Sequence, residues 1–241
     1  MNPYYTDEKV IIYWGDCLEV MKIFSDKSFD MILCDLSHRM TACKWDAIIP
    51  LDPLWEQYKR IIKDNGVIVL IAPQPFASML VMSNLKMFRH EWIWEKHQST
   101  NPISPLKSHE NILVFSKNKV LYNPLWKLAS YIRDLILTRN KTKFMEGNKS
   151  IHGDNKKSSR YPKTVIRITK DKGEAIQKPV TLFEYLIKIY TNEGGMVLDN
   201  CMGSGTTLVA AKRLERKAVG IEILEEYCAI AKKRLTQEML S

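Results

Sequence analysis

Short apolar runs along this chain alternate with stretches whose apolar positions recur at helical spacing, the pattern of a sheet covered by helices. Residues 31–34 (MILC) and 67–72 (VIVLIA) are continuously apolar and 111–115 (NILVF) nearly so, which predicts strands buried on both faces. Residues 9–13 (KVIIY), 196–199 (MVLD) and 217–223 (KAVGIEI) are further predicted strands, while 91–95 (EWIWE) and briefly 165–168 (VIRI) alternate in polarity. Residues 91–95 and 111–115 are expected near one edge of the sheet.

Helical spacing marks residues 17–24, where Leu18, Met21 and Phe24 share a face, and the segment carrying Leu54, Trp55, Tyr58, Ile61 and Ile62. Asp52 is the expected N-cap of that second helix, Pro53 lies in its first turn, and Asn65-Gly66 is its expected stop. Residues 76–86, 180–190, 208–215 and 225–235 complete the predicted helices. Strand, helix and strand within 9–34 make a βαβ unit whose crossover should be right-handed. The expected fold is α/β: an open, mostly parallel sheet with helices on both faces. A chain of 241 residues with 45% hydrophobic content suits one such domain with an inserted lobe.

The lobe is placed at 119–172, where periodicity fades. Residues 125–138 keep helical spacing through Leu128, Ile132 and Leu135, but 138–162 are polar, basic and aperiodic. Charge sharpens this. Residues 117–172 hold 15 of the 36 Lys and Arg and 4 of the 27 acids, which is +11, so the rest of the chain carries −2. Positive charge so concentrated implies a polyanion-facing segment, with a solvated basic loop as the plainer alternative. Five scattered cysteines, Cys17, Cys34, Cys43, Cys201 and Cys228, suit reduced, mostly buried thiols rather than a disulfide framework. No metal-ligand spacing is visible among the histidines. With no long apolar span and no signal-peptide pattern, a cytoplasmic location is expected.

Two places carry chemistry. Asp35 ends an apolar strand and opens a polar loop, which is where open α/β sheets place reactive groups; a plain capping role is the alternative. Further on, a strand ending in Asp199 leads into Gly203-Ser204-Gly205 and a helix, and Glu222 follows at the next strand end, 17 residues after Gly205. Glycines let a ligand approach the backbone, and an acid at the next strand end can hold two ribose hydroxyls, so the unit is read as nucleoside-binding. It lacks the dinucleotide spacing, because Leu208 stands where a third glycine would be, and it lacks the Lys-Ser/Thr of a phosphate loop.

The run from Asp199 to Thr207, DNCMGSGTT, resembles the D-P-F-x-G-S-G-T-T loop of S-adenosylmethionine-dependent DNA amino-methyltransferases. Gly220-Ile221-Glu222-Ile223 continues the resemblance. Gln177-Lys178-Pro179-Val180 is similar to the family's H-P-T-Q-K-P-V, Gly15-Asp16 to its adenine-side motif, and His109-Glu110 before NILVF to a late motif. Asp35-Leu36-Ser37-His38 aligns with the catalytic D-P-P-Y or D-L-P-Y. Six motifs in this order, with the catalytic strand first, resemble the β class. The resemblance implies a Rossmann-like methyltransferase fold, with 1–118 as the catalytic half, 119–172 as an inserted target-recognition lobe and 173–241 as the cofactor half.

It also implies S-adenosylmethionine as cofactor, double-stranded DNA as partner, and a homodimer as a family-level expectation. Asp35, Leu36, Ser37 and His38 would be catalytic. Asp16, Asp35, Lys178, Asp199, Cys201, Gly203, Ser204, Gly205, Thr206, Thr207 and Glu222 would bind the cofactor. Arg139, Lys141, Lys143, Lys156, Lys157 and Arg160 would meet DNA phosphates. The implied reaction flips a base from the duplex and methylates its exocyclic nitrogen, with N6 of adenine favoured by the Asp in first position.

The chain departs from the family at Ser37 for Pro, His38 for Tyr and Arg39 for a small residue, and at Glu174-Ala175-Ile176 for H-P-T. Losing Pro frees a loop whose carbonyls must aim at the amine, imidazole offers less stacking surface than phenol, and Arg39 adds a fixed charge. A weakened or dead enzyme that still binds DNA and cofactor, an altered substrate such as cytosine N4, and a drifted copy all stay open. RNA or a free nucleoside is a further alternative, against which the basic lobe speaks.

Overall fold

The computed structural model describes residues 1–36, 49–96, 108–124, 162–168 and 177–237. The chain divides into two compact units, 1–122 with 164–241, and 123–163. Nearly all described residues belong to the first. The expected helix at 125–138 lies outside them.

The first unit is a nine-stranded sheet with helices on both faces, in the order β1-β2-β9-β8-β3-β4-β6-β5-β7. The strands are β1 (Tyr5–Thr6), β2 (Val10–Trp14), β3 (Phe29–Asp35), β4 (Ile62–Ala72), β5 (Phe88–Glu95), β6 (His109–Phe115), β7 (Val165–Arg167), β8 (Met196–Asp199) and β9 (Lys217–Glu222). The helices are α1 (Cys17–Met21), α2 (Leu51–Ile61), α3 (Phe76–Ser83), α4 (Val180–Tyr190), α5 (Thr206–Arg213) and α6 (Glu225–Gln237). The central run β2-β9-β8-β3-β4 is parallel throughout, whereas β6 is antiparallel to both β4 and β5. None of these helices is long and apolar enough to cross a membrane.

Burial explains the apolar runs. Met31, Ile32, Leu33 and Cys34 are all fully buried, as a central parallel strand requires. Ile32 and Cys34 face the core under α1, α2 and α3, built around Leu54, Tyr58 and Leu80. Alternation turns Met31 and Leu33 to the opposite face. Strands β2 and β3 do not pair, because β9 and β8 come between them.

Several boundaries differ from expectation for identifiable reasons. Helix α1 stops at Met21, not Phe24: Lys22, Ile23 and Phe24 close tighter turns, and Arg60 Nη2 and Nη1 take the Met21 and Phe24 carbonyls at 2.8 and 2.6 Å. Helix α2 begins at Leu51 with Pro50 as its cap, so Asp52 is a first-turn acid and not the N-cap. Pro53 is tolerated because the first-turn N–H groups have no intrahelical partner. That helix ends at Ile61, before Asn65-Gly66, which instead lies in a bulge of β4 between the Phe29–Ile62 and Met31–Val67 pairs. A Cβ on Gly66 would stand 2.8 Å from Ile62 Cγ1 and 3.0 Å from the Asp30 carbonyl, so glycine permits the close crossing over β3. Helix α3 ends at Ser83, since Asn84 leaves helical geometry. Strand β1 and the antiparallel length of β5 from Phe88 had no clear alternating signal. Residues 165–167, inside the stretch assigned to the lobe, pair in parallel with β5 in the main sheet.

Candidate active site

The parallel strands bring four acidic groups to one edge of the sheet. Trp14, just before Gly15-Asp16, pairs with Glu222, Asp199 pairs with Gly220, and the Met31–Val197 and Ile32–Leu198 pairs align β3 with β8, so Asp35 leaves beside Asp199. From β3 the chain winds toward β4, and from β8 toward β9, so the β3–β8 boundary is where strand order reverses. Open α/β sheets bind ligands at that crevice.

The glycine turn rises from β8 on hydrogen bonds that its own sequence supplies. Asp199 accepts from the Cys201 N–H at 3.1 Å and from the Thr207 hydroxyl. The Met202 N–H donates to the Ile221 carbonyl at 3.0 Å. Glu222 accepts from Gly203 N–H and Leu224 N–H, both at 3.0 Å, and burial holds its carboxyl above the ordinary range. The two glycines do different work. Gly203, at φ +50°, has nothing within 4 Å of where a Cβ would stand, whereas at Gly205, φ +80°, a Cβ would meet Ala231 Cβ at 2.8 Å. The first leaves room for a ligand; the second lets α6 pack close. From α6, Arg234 Nη1 donates to Ser204 O at 2.8 Å, Ser204 Oγ at 3.0 Å and Thr206 Oγ1 at 3.2 Å. Thr206 and Thr207 are buried at the start of α5.

Beneath the turn, Cys201 interacts with Cys17 of α1 and Cys34 of β3. The hydrogen bond to Cys201, with burial, pushes the Cys17 thiol up, and burial pushes Cys34 up to about 12. Thiols held up in this way stay protonated. Asn200 fills the family's proline position, and Tyr58 donates its hydroxyl hydrogen to Asn200 Oδ1 at 2.6 Å in the core.

Asp16 caps α1, its Oδ1 accepting from Leu18 and Glu19 N–H at 2.8 and 3.2 Å. Asp35 is paired with Lys178, immediately before α4, and Lys178 also reaches Glu110 at 3.2 Å. Glu110 in turn pairs with Lys96, so four alternating charges run from the strand end into the fold. Burial pulls the Lys178 ammonium down, but Asp35 and Glu110 more than offset this and raise it above its ordinary value. Burial pushes Glu110 up, and the two ammonium groups outweigh it and hold it low.

The structure thus brings together Asp16, Asp35, Lys178, Asp199, Cys201, Gly203, Ser204, Gly205, Thr206, Thr207 and Glu222 along one edge, with Leu36 buried beside Asp35. Ser37, His38 and Arg39, and also Arg139, Lys141, Lys143, Lys156, Lys157 and Arg160, lie outside the described residues. The roles of Glu110, Lys96, Arg234 and Tyr58 at this site were not apparent from spacing. His109-Glu110 stood out only as a motif, and the others sit far from the site in sequence.

The profile of the N6/N4 family, described as DNA methylase, matches residues 42–233. The chain is 27% identical to the type II methyltransferase M.HpaI of Haemophilus parainfluenzae over 96% of this chain and 75% of that one. It is 27% identical to M2.DpnII of Streptococcus pneumoniae, over 98% and 93%. Among solved structures, the cytosine-N4-specific PvuII DNA methyltransferase shares the fold with a TM-score of 0.70 at 17% identity, covering 95% of this chain and 87% of that one. The M1.HpyAVI–SAM complex does so with a TM-score of 0.62 at 23% identity, covering 93% and 99%.

Proposed function

The chain belongs to the N6/N4 family of DNA methylases, and we propose from that premise that it transfers the methyl group of S-adenosylmethionine to N6 of adenine in duplex DNA, with the base flipped from the helix. The observation that carries this reading is the meeting of Asp35 with the open glycine turn and Glu222 at adjacent parallel strand ends. The residues fit the cofactor. Gly203 offers approach to the backbone, Glu222 could bridge the ribose hydroxyls, Asp16 would meet the adenine end, and Asp199, Ser204, Thr206 and Thr207 would shape the methionine end. Bound there, S-adenosylmethionine supplies an electrophilic methyl group on a sulfonium.

The protein's own contribution is to the amine. An exocyclic amine delocalises its lone pair into the ring and is a poor nucleophile. Among the described residues Lys178 holds Asp35 through Oδ2, so that Oδ1 can accept an amine hydrogen and stabilise the positive charge growing on nitrogen. Leu36 carries the backbone carbonyl that follows. Ser37 and His38 occupy the positions for loop stiffness and base stacking. Arg139, Lys141, Lys143, Lys156, Lys157 and Arg160 serve phosphates, so DNA affinity should fall steeply with salt. A homodimer, the family-level expectation, is checked by light scattering of the full chain.

The test is tritium transfer from labelled S-adenosylmethionine to DNA from a methylase-deficient host, followed by nucleoside digestion and chromatography. N6-methyladenine is the expected product. N4-methylcytosine would replace the target assignment, and no transfer by folded, cofactor-binding protein would refute catalysis. The triple variant S37P/H38Y/R39G then separates a weakened site, in which activity rises strongly, from a retuned one, in which it is lost.

A further inference from the structure

We infer that Glu110, backed by Lys96, is a positioning residue for methyl transfer: it shares the Lys178 ammonium with Asp35 and so fixes the aim of the Asp35 carboxylate. The inference rests on the proposed reading of Asp35 as the acceptor for the target amine. Strand order makes the arrangement possible. Asp35 pairs level with Ile71 of β4, and on the other side of β4 Ala72 pairs with Asn111 of β6. Because β6 runs antiparallel, its beginning at His109-Glu110 stands on the edge where β3 and β4 end. Lys178 bridges across the exit of β4, and Lys96, just past β5, closes the far side.

The degree of burial indicates a purpose beyond surface pairing. The side chains of Lys178, Glu110 and Lys96 are 18%, 14% and 24% exposed, while Asp35 at the open end is 38% exposed. Buried ion pairs are weak contributors to stability, because desolvation offsets much of the attraction. Among the described residues the charges alternate and sum to zero, so the row ends in a carboxylate whose countercharge is already shared. With Glu110 neutralised, Lys178 would belong to Asp35 alone and could close over both of its oxygens. The group would also carry one net positive charge beside an amine that becomes cationic, which opposes the transition state. Both effects act on turnover at saturating cofactor rather than on DNA binding. A merely structural role, tying β6 and β5 to the segment before α4, would act on folding and affinity together.

The experiment uses the full chain and unmethylated DNA from a methylase-deficient host. Glu110→Gln should lower kcat on the order of 10²-fold, the scale of a misaimed catalytic group, at saturating S-adenosylmethionine and well below a melting temperature that the unpaired Lys96 charge lowers, with the KM for DNA unchanged. Glu110→Asp should recover part of the loss, whereas Lys96→Met, which leaves one net negative charge in the group, should lower kcat far less than Glu110→Gln. An unchanged kcat in Glu110→Gln overturns the inference. So does a fall in kcat that is matched by an equal fall in DNA affinity. Wild-type protein that methylates no DNA refutes the functional reading and the inference with it, whereas active wild type with an indifferent Glu110→Gln refutes the inference alone.

Discussion

Replacing Asp199 with Asn should remove a pH dependence that its burial imposes on the whole fold. The carboxyl is pushed from the ordinary 3.8 up to about 7, first by burial and also by the nearby Asp35 charge, against the pull of the Thr207 hydroxyl and the Cys201 N–H. A carboxyl raised in the folded state binds a proton there that the unfolded chain has already released. Its contribution is therefore fully present below about pH 4 and is lost as pH rises through about 7. With these two values, linkage puts the loss between about pH 5 and pH 8 at roughly 2.5 kcal/mol. Asn keeps the shape and does not titrate, and its amide can turn so that both contacts persist. The assay is urea denaturation of wild type and Asp199→Asn across that range, without S-adenosylmethionine, whose cationic groups would favour the ionised form. The stability of the variant relative to wild type should rise by roughly 2.5 kcal/mol from the acid to the alkaline end, or roughly 5–10 °C in melting temperature for a chain of this size. Parallel pH profiles for the two proteins would refute the reasoning.

The two glycines of the turn should separate binding from stability. Gly205→Ala forces a Cβ to 2.8 Å from Ala231 Cβ and should destabilise the fold by about 1–3 kcal/mol in denaturation. Gly203→Ala meets no atom within 4 Å and carries only the strain of its φ, about 1 kcal/mol, so its main effect should be weaker S-adenosylmethionine binding by calorimetry. Tyr58→Phe removes the 2.6 Å donor to buried Asn200 Oδ1 and should cost about 1–3 kcal/mol; a neutral result would mean that another donor replaces it. Asp35→Asn should cut tritium transfer by on the order of 10²–10³-fold, and an active variant would remove Asp35 from the reaction.

What was legible along the chain is what burial and backbone geometry write locally. Met31–Cys34 announces a strand because both of its faces are covered, and Asp35 announces the strand end because such a core does not admit an unpaired carboxylate. Gly203 and Gly205 mark a turn because both adopt positive φ, and Glu222 marks the next strand end by the length of one helical crossover. Asn65-Gly66 predicts a helix stop where the structure has a strand bulge, for a related reason. Asn-Gly signals a break in backbone geometry without saying whether a helix ends or a strand swerves, and here the Asp30 backbone pressing on Gly66 decides.

Groups that meet only through strand order leave no such mark. Cys17, Cys34 and Cys201 look scattered, yet β3 and β8 are neighbours and the Cys17 thiol of α1 reaches Cys201, so the three thiols converge under the turn. Lys178 stands 143 positions from Asp35, and nothing near either residue names the other. Glu110 is the plainest case. Along the chain it is marked only by the His109-Glu110 motif ahead of an apolar strand, which does not say what the acid touches. Only the antiparallel direction of β6, two places from β3, turns that start toward the edge where Asp35 emerges and makes the acid a partner of the same lysine.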